Sequence, residues 1–310
     1  KRYSPEAQMR PRLLTTPPYT AYLRIADGCD NHCTYCLIPT LRGPYRSRYI
    51  EDILQEAESL AQSGVKEINI IAQDTTGYGK DIYGEYKLVE LLERIEEIKD
   101  IHWIRLLYTY PEEITEELVQ FLAKSDKICH YLDIPLQHAD DEILRKMGRK
   151  GRVDNIRRLI KKLRENIPDI TLRTTFIVGF PGETDKHFES LYRFIEETKF
   201  DRLGVFEYSK EKGTAAAKMA GQVEPKVKKE RKTRVRQLQA RISRMKNKAY
   251  LGKILEVLFT GTTGGRSLRD APDIDGQILC PNNITPGTFA RVQICHALTH
   301  DLKGKLVDTG

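Results

Sequence analysis

Three cysteines in one short run, Cys29, Cys33 and Cys36 in GCDNHCTYC, constrain this chain more than any other feature. Their spacing is Cys-x3-Cys-x2-Cys, and a short loop carrying it can turn all three thiolates toward one place. Three thiolates are one fewer than a closed tetrahedral zinc site or a fully ligated iron–sulfur cluster requires. A centre short of one protein ligand keeps a position at which substrate can bind. The missing fourth ligand points to a reactive centre.

The competing reading is zinc, with His32 or the distant Cys129 as fourth ligand. Disulfides fit less well. The chain has 6 cysteines in 310 residues and shows neither a secretory signal nor a membrane-spanning run. Such a chain reads as cytosolic, where thiols stay reduced. Cys129, Cys280 and Cys295 stand alone in apolar surroundings and read as small buried hydrophobes.

The length favours two domains, one large enough for a barrel-sized core. Residues 1–18 carry Pro5, Pro11, Pro17 and Pro18 among scattered basic residues, and the chain does not start with methionine. That composition predicts an extended linker, so the chain is expected to be the back part of a longer protein.

The formal charge of +7 is unevenly spread. Residues 224–248 hold eleven Lys and Arg against two Glu, a net of +9. There Val227, Val235, Leu238, Ile242, Met245 and Ala249 recur at helical spacing and predict one apolar face of a long helix. Its other face is either a solvated basic surface or a contact for RNA phosphate. Residues 250–310, by contrast, carry six positive and six negative side chains. That balance argues against the C-terminal segment alone as a nucleic-acid binder.

Between Thr20 and Ser209, β-rich runs alternate with amphipathic stretches. The strand candidates begin at Ala21, Lys66, Ile101, Ile128, Ile170 and Arg202. The predicted helices are 50–62, 86–98, 114–124, 153–166 and 184–198. Strands alternating with helices predict a parallel sheet. Six units make either a doubly wound sheet or an incomplete barrel, and periodicity does not separate them. Unusual residues follow every strand candidate. The cysteine loop follows the first, Gln73 and Asp74 the second, and 108–111 the third. Gln137, His138 and Asp140 follow the fourth, 179–183 the fifth, and Tyr208 and Ser209 the sixth. In α/β barrels the strand C-terminal ends form the active-site rim.

GCDNHCTYC resembles the defining motif of the radical S-adenosylmethionine (SAM) superfamily. The resemblance implies an α/β fold, a partial (β/α)6 barrel. It implies a 4Fe-4S cluster on Cys29, Cys33 and Cys36 whose fourth iron is chelated by SAM, and a carbon-centred radical made by reductive cleavage of SAM. It also implies that Tyr35 packs against the cluster, and that the turn at Val178 and Gly179 approaches the adenosine. Gln73, Gln137 and Arg173 would supply polar contacts to SAM. An electron donor such as flavodoxin or ferredoxin is implied, and a membrane is not. No further catalytic residue is assigned.

The run IPTLRGPYRSR from Ile38 is similar to that of the methylthiotransferases within this superfamily. Their transfer-RNA branch tends to carry valine-proline-tyrosine after the cysteines and proline-valine-glutamine-serine-glycine after strand four. This chain has Ile38-Pro39-Thr40, and Leu136-Gln137-His138-Ala139 follows its fourth strand candidate. Those forms resemble the branch that modifies the β-carbon of an aspartate in a small-subunit ribosomal protein near the decoding centre. The alternatives are a tRNA adenosine methylthiotransferase and, in a different class, a zinc-stabilised RNA-binding module.

The C-terminal stretch resembles the TRAM domain of these enzymes, a small antiparallel OB-like barrel. The implied domains are a linker at 1–18, a radical SAM core at 19–242 including the C-terminal basic helix, and a TRAM domain at 243–310. The near-neutral TRAM segment is expected to dock the ribosomal protein, and the helix at 224–248 to touch ribosomal RNA. The family also carries an N-terminal domain whose cysteines hold a second 4Fe-4S cluster. No cysteine precedes Cys29 here, so the chain as given is expected to cleave SAM without completing methylthiolation.

Overall fold

A computed structural model describes residues 13–307. Residues 1–12 of the expected linker lie outside the described residues. Six strands form one parallel sheet: β1 (Thr20–Arg24), β2 (Glu67–Ile71), β3 (Trp103–Leu106), β4 (Ile128–Asp133), β5 (Thr171–Val178) and β6 (Arg202–Glu207). Their order in the sheet is their order in the chain. A doubly wound sheet reverses order at its switch point. This one never does, so the six units make an open, partial barrel.

The helices cover the outer face. Those at Ile50–Gln62 and Val153–Asn166 run over the predicted ranges, and those at Leu88–Glu96, Glu116–Lys124 and Asp185–Thr198 are shorter by one to four residues. Thr184 caps the last of these with a reciprocal capping box shared with His187. Outward-facing Ile68, Ile70, Ile104, Leu106, Leu132 and Leu172 join the helices in the main core. The alternate residues of the same strands point into the barrel, as a period of two demands. They include Glu67, Asn69, Arg105 and Tyr131, all buried.

A second, closed barrel is built from β7 (Ile254–Gly261), β8 (Gly264–Arg266), β9 (Ile278–Leu279), β10 (Phe289–Ala297) and β11 (Leu302–Leu306). Its neighbours are antiparallel except β9 with β11. The expectation of a wholly antiparallel barrel is corrected there, because the two-residue β9 reaches its neighbour through a long connection. Cys129 and Cys280 are buried, as expected, but Cys295 is exposed. The register of β10 on β11 shifts between Ile294 and His296. This bulge breaks the inside–outside alternation and turns Cys295 out to solvent.

The segment after β8 fills the N-terminal end of the large barrel. There Tyr19, Trp103, Leu107, Cys129 and Tyr131 pack with Leu258 and Ala271. Arg266 reaches fully buried Glu67, Arg202 pairs with Asp270, and Tyr131 donates to Asp275 at 2.6 Å. The floor of one barrel is therefore supplied by the other. Only part of the small barrel's charge is free to face a partner, so its formal neutrality does not describe its surface. Lys253, Arg291, Lys303 and Lys305 stay exposed, against exposed Glu256 and Asp273.

The basic helix spans Pro225–Lys248, past the expected domain boundary, and the small barrel's first strand begins at Ile254. Val235, Leu238 and Ile242 are buried, but Met245 is 47% exposed. Arg231, Gln239, Ser243 and Asn247 take the buried positions instead. These polar side chains meet fixed partners. Gln239 donates to the carbonyl of Phe200 at 3.0 Å, Asn247 to that of Leu298 at 3.2 Å, and Arg231 to Glu183 at 2.7 Å. Apolar spacing alone mislaid this face because half of it is hydrogen-bonded. Among the described residues no helix is long and apolar enough to cross a membrane.

Candidate functional site

The cysteine loop leaves the C-terminal end of β1 and is held from three sides. Gly28 opens it at φ +79°, where a β-carbon would sit 2.1 Å from the carbonyl oxygen of Pro44. The N–H of Cys29 donates to Gly43 at 3.2 Å, and that of Tyr45 to Asp30 at 3.0 Å. On the second side Thr34 donates to the carbonyls of Met147 and Lys146. Gly148 lies so close that a β-carbon there would meet the His32 carbonyl at 2.5 Å. On the third, Ala216 donates to Thr34 at 2.8 Å. The loop is thus preorganised by backbone contacts far apart in sequence. Gly28→Ala, which forces both strain and a clash, is expected to lower iron uptake per chain several-fold while circular dichroism stays native.

Cys29, Cys33 and Cys36 all line one cleft of about 480 Å³, together with Tyr35, Gln73, Gln137, Tyr108, Tyr110 and Arg149. Cys29 accepts from the N–H of Asn31 and Cys36 from that of Ile38, both at 3.4 Å. Burial, the largest influence on each, raises the thiols of Cys29 and Cys36 above their ordinary value. Binding a metal centre there would release protons.

The donor set bears on the choice of metal. Cys129 lies at the opposite end of the barrel, beneath the small barrel, and burial pushes its thiol up to about 11. It cannot complete a site with the loop. Among the described residues no three Cys, His, Asp or Glu side chains converge on a point that one metal ion could occupy. Three thiols around a common cleft fit a cube that takes each on a different iron.

The other residues singled out in the sequence divide. Tyr35 lines the cleft, its ring edge-on to Phe180 at 6.5 Å. Gln73 lines it with a buried Oε1 that has no partner among the described residues. Gln137 lines it too, at φ +71°, and so does Tyr108 at φ +61°. Left-handed backbone at two non-glycine residues is stored strain, and such strain gathers at functional sites. Val178 and Gly179 do not line the cleft. Val178 is fully buried in the core, and the Gly179 N–H donates to Glu183 at 2.8 Å. A β-carbon on Gly179 would meet the Lys228 side chain at 2.3 Å, so its missing side chain admits the basic helix. Arg173 is drawn to the floor, bonding Asp133 at 2.7 Å and lying 3.7 Å from Asp275 of the small barrel.

Sequence reasoning missed Arg149, and it gave Tyr110 and Asn31, which lie inside runs it singled out, no role of their own. Asn31 donates to Asp74 at 2.7 Å, which ties the cysteine loop to the end of β2. Arg149 stands in a Gly-Arg-Lys-Gly run that reads as an exposed turn. Only the fold, by laying Gly148 against His32, carries it into the cleft.

Comparison with known proteins agrees with this geometry. The Radical SAM superfamily profile matches residues 23–195, and the TRAM domain profile residues 251–307. The ribosomal protein uS12 methylthiotransferase RimO of Pelotomaculum thermopropionicum is 54% identical over 96% of this chain and 69% of its own length. That of Alkaliphilus oremlandii is 49% identical over 96% and 70%. Among solved structures, coproporphyrinogen III oxidase (HemN) from Escherichia coli superposes with TM-score 0.54 at 18% identity, over 93% of this chain and 69% of its own. The methyltransferase TsrM from Kitasatospora setae gives 0.50 at 19%, over 61% and 36%. These structural likenesses concern the fold.

Proposed function

The chain belongs to the ribosomal protein uS12 methylthiotransferases of the radical SAM superfamily, and on that premise we propose how its own residues serve the reaction. It is an enzyme that inserts sulfur at, and methylates, the β-carbon of an aspartate in uS12, using a 4Fe-4S cluster and SAM. The observation that carries the reading is three thiols on one clamped loop, facing a single cleft at the C-terminal rim of a parallel partial barrel.

Cys29, Cys33 and Cys36 hold the cluster. When bound, cluster and SAM supply the one-electron chemistry that opens an unactivated C–H bond. The protein's part is to bind, orient and exclude water. Tyr35 walls the cleft and is backed by the fully buried Phe180. Gln73 and Gln137 offer amide groups toward it, and the orphaned Oε1 of Gln73 is an acceptor left for a ligand donor. Tyr108, 48% exposed at the mouth, is the aromatic that an incoming polypeptide meets first. An electron donor such as flavodoxin or ferredoxin supplies the electron. Mass spectrometry of uS12 from cells lacking the gene tests the reading. The aspartate should lose its methylthio mass and regain it on complementation. Loss of the group from a transfer-RNA adenosine, with uS12 unchanged, would overturn the assignment.

The basic helix is proposed to touch ribosomal RNA while uS12 is held. Several of its charges are spent internally: Arg231 on Glu183, Lys232 on Glu207, Arg234 on Glu189 and Lys246 on Asp201. Lys226, Lys229, Arg236, Arg244 and Lys248 are exposed and make no ion pair among the described residues. Their spacings of three, seven, eight and four place them on one stripe. Changing Lys226, Arg236 and Arg244 together to Glu should lower the slope of log affinity for ribosomal RNA against log salt by about 2 to 3. Filter binding across a salt series measures it, and an unchanged slope excludes the contact.

A further inference from the structure

We propose that Arg149 is the anchor for a carboxylate brought into the cleft, an assignment that rests on the reading of the site given above. Seven arginines are buried among the described residues: 48, 105, 149, 202, 231, 266 and 269. Six of them meet a carboxylate within 4 Å. Arg149 is the exception. It is 9% exposed and lines the cleft with the three cysteines. Its Nη2 donates to the carbonyl of Pro135 at 2.9 Å, and its guanidinium lies 3.9 Å from the Tyr110 ring centroid. Glu112 is near enough to feel the charge but makes no ion pair with it.

A buried guanidinium without a counter-ion is costly, and stacking on a tyrosine offsets only part of that cost. Everywhere else this fold answers the same problem with a carboxylate. At Arg149 the described residues provide none, and among them Nε and Nη1 have no hydrogen-bond partner. A planar fork held flat on an aromatic ring, with donors toward a cleft, is built for bidentate carboxylate recognition. Two acids reach this cleft on the proposed reaction: the methionyl carboxylate of SAM and the side chain of the substrate aspartate. Either can be the partner, and the chemistry is the same.

The test is equilibrium binding without turnover, on cluster-reconstituted chain, comparing wild type with Arg149→Gln. The probes are SAM, decarboxylated SAM, and a uS12-loop peptide carrying either the aspartate or asparagine in its place. Arg149→Gln should weaken one of the two acids by about ten- to a hundredfold, the size of one charge-assisted hydrogen bond. That factor should vanish for the same ligand without its carboxylate, and the acid that responds names the source. Equal loss for both members of a pair would mean a merely structural role and overturn the assignment. Unchanged affinity for both acids would overturn it too. So would loss of iron from Arg149→Gln but not from Arg149→Lys, which would show the charge serving the cluster. If Arg149→Gln does not fold, Arg149→Lys carries the test, since it keeps the charge and loses the fork. Its loss should be smaller and again confined to the carboxylate ligand. Wild-type chain that takes up no iron and binds no SAM would remove the proposed function, and this assignment with it.

Discussion

Serine in place of Cys33 should take bound iron from about four per chain, the stoichiometry of the cluster, to near zero, and 5′-deoxyadenosine release should fall to background. Cys29→Ser and Cys36→Ser should do the same, because a cube attached at two corners is held by neither spacing nor clamp. The fold should persist, since none of the three thiols belongs to a buried core cluster. Iron and sulfide analysis, absorbance near the thiolate charge-transfer bands and a SAM-cleavage assay read the outcome together. A colourless wild-type protein with one tightly bound zinc would sink this account.

The largest effect on stability is expected at the joint between the barrels. Glu67 is fully buried, and both its oxygens meet Arg266 of the small barrel. Thr20 donates to it at 2.7 Å and Arg105 approaches at 3.4 Å. Arg266→Met strands much of that negative charge in the floor. Removing one partner of a buried pair costs about 3–5 kcal/mol, which denaturant titration would show as a lower midpoint. Glu67→Gln with Arg266→Met should recover only part of the loss, because the buried carboxylate is gone but Arg105 is then left without its ion-pair partner.

The same pair gives a pH signature. Burial alone would raise Glu67, but the hydrogen bond from Arg266 and the charges of Arg266 and Arg105 outweigh it. The carboxyl is drawn from its ordinary 4.5 down to about 2. A depressed carboxyl stabilises the fold fully above its unfolded value and loses that contribution as pH falls toward its folded one. The gap in stability between wild type and Arg266→Met should therefore be widest above pH 4.5 and close between there and about 2. A gap that stays constant across that window would show that Glu67 is not the group left unpaired.

Much of the fold was legible because periodicity is a local property. The six strand candidates and five helices are found where alternation and helical spacing put them, since each element buries one face and its own residues record which. The misreadings have physical causes of the same kind. Helical spacing puts Met245 on the buried side of the basic helix, yet it is half out in solvent, because Gln239, Ser243 and Asn247 occupy that side through hydrogen bonds. Cys295 was read as buried until a bulge turned it out. Neither a hydrogen-bonded polar face nor a bulge leaves a trace in hydrophobic spacing.

The chemistry is written locally in the chain: three thiolates at fixed spacing in one loop, too few to close a centre, at the end of the first of six βα units. Those ligands are neighbours in the chain, so their grouping needs no knowledge of the fold. The rest of the site comes from the fold. It gathered Gln73, Tyr108, Gln137 and Arg149 from four separate loops around the cysteines, and drew Arg173 away to the floor. It also spent the charge of Arg266 and Asp270 on the joint between the barrels. The reason is the same each time: which buried charge finds a partner, and which is left facing a cleft, depends on contacts between residues 40 to 199 positions apart, and no local pattern encodes them.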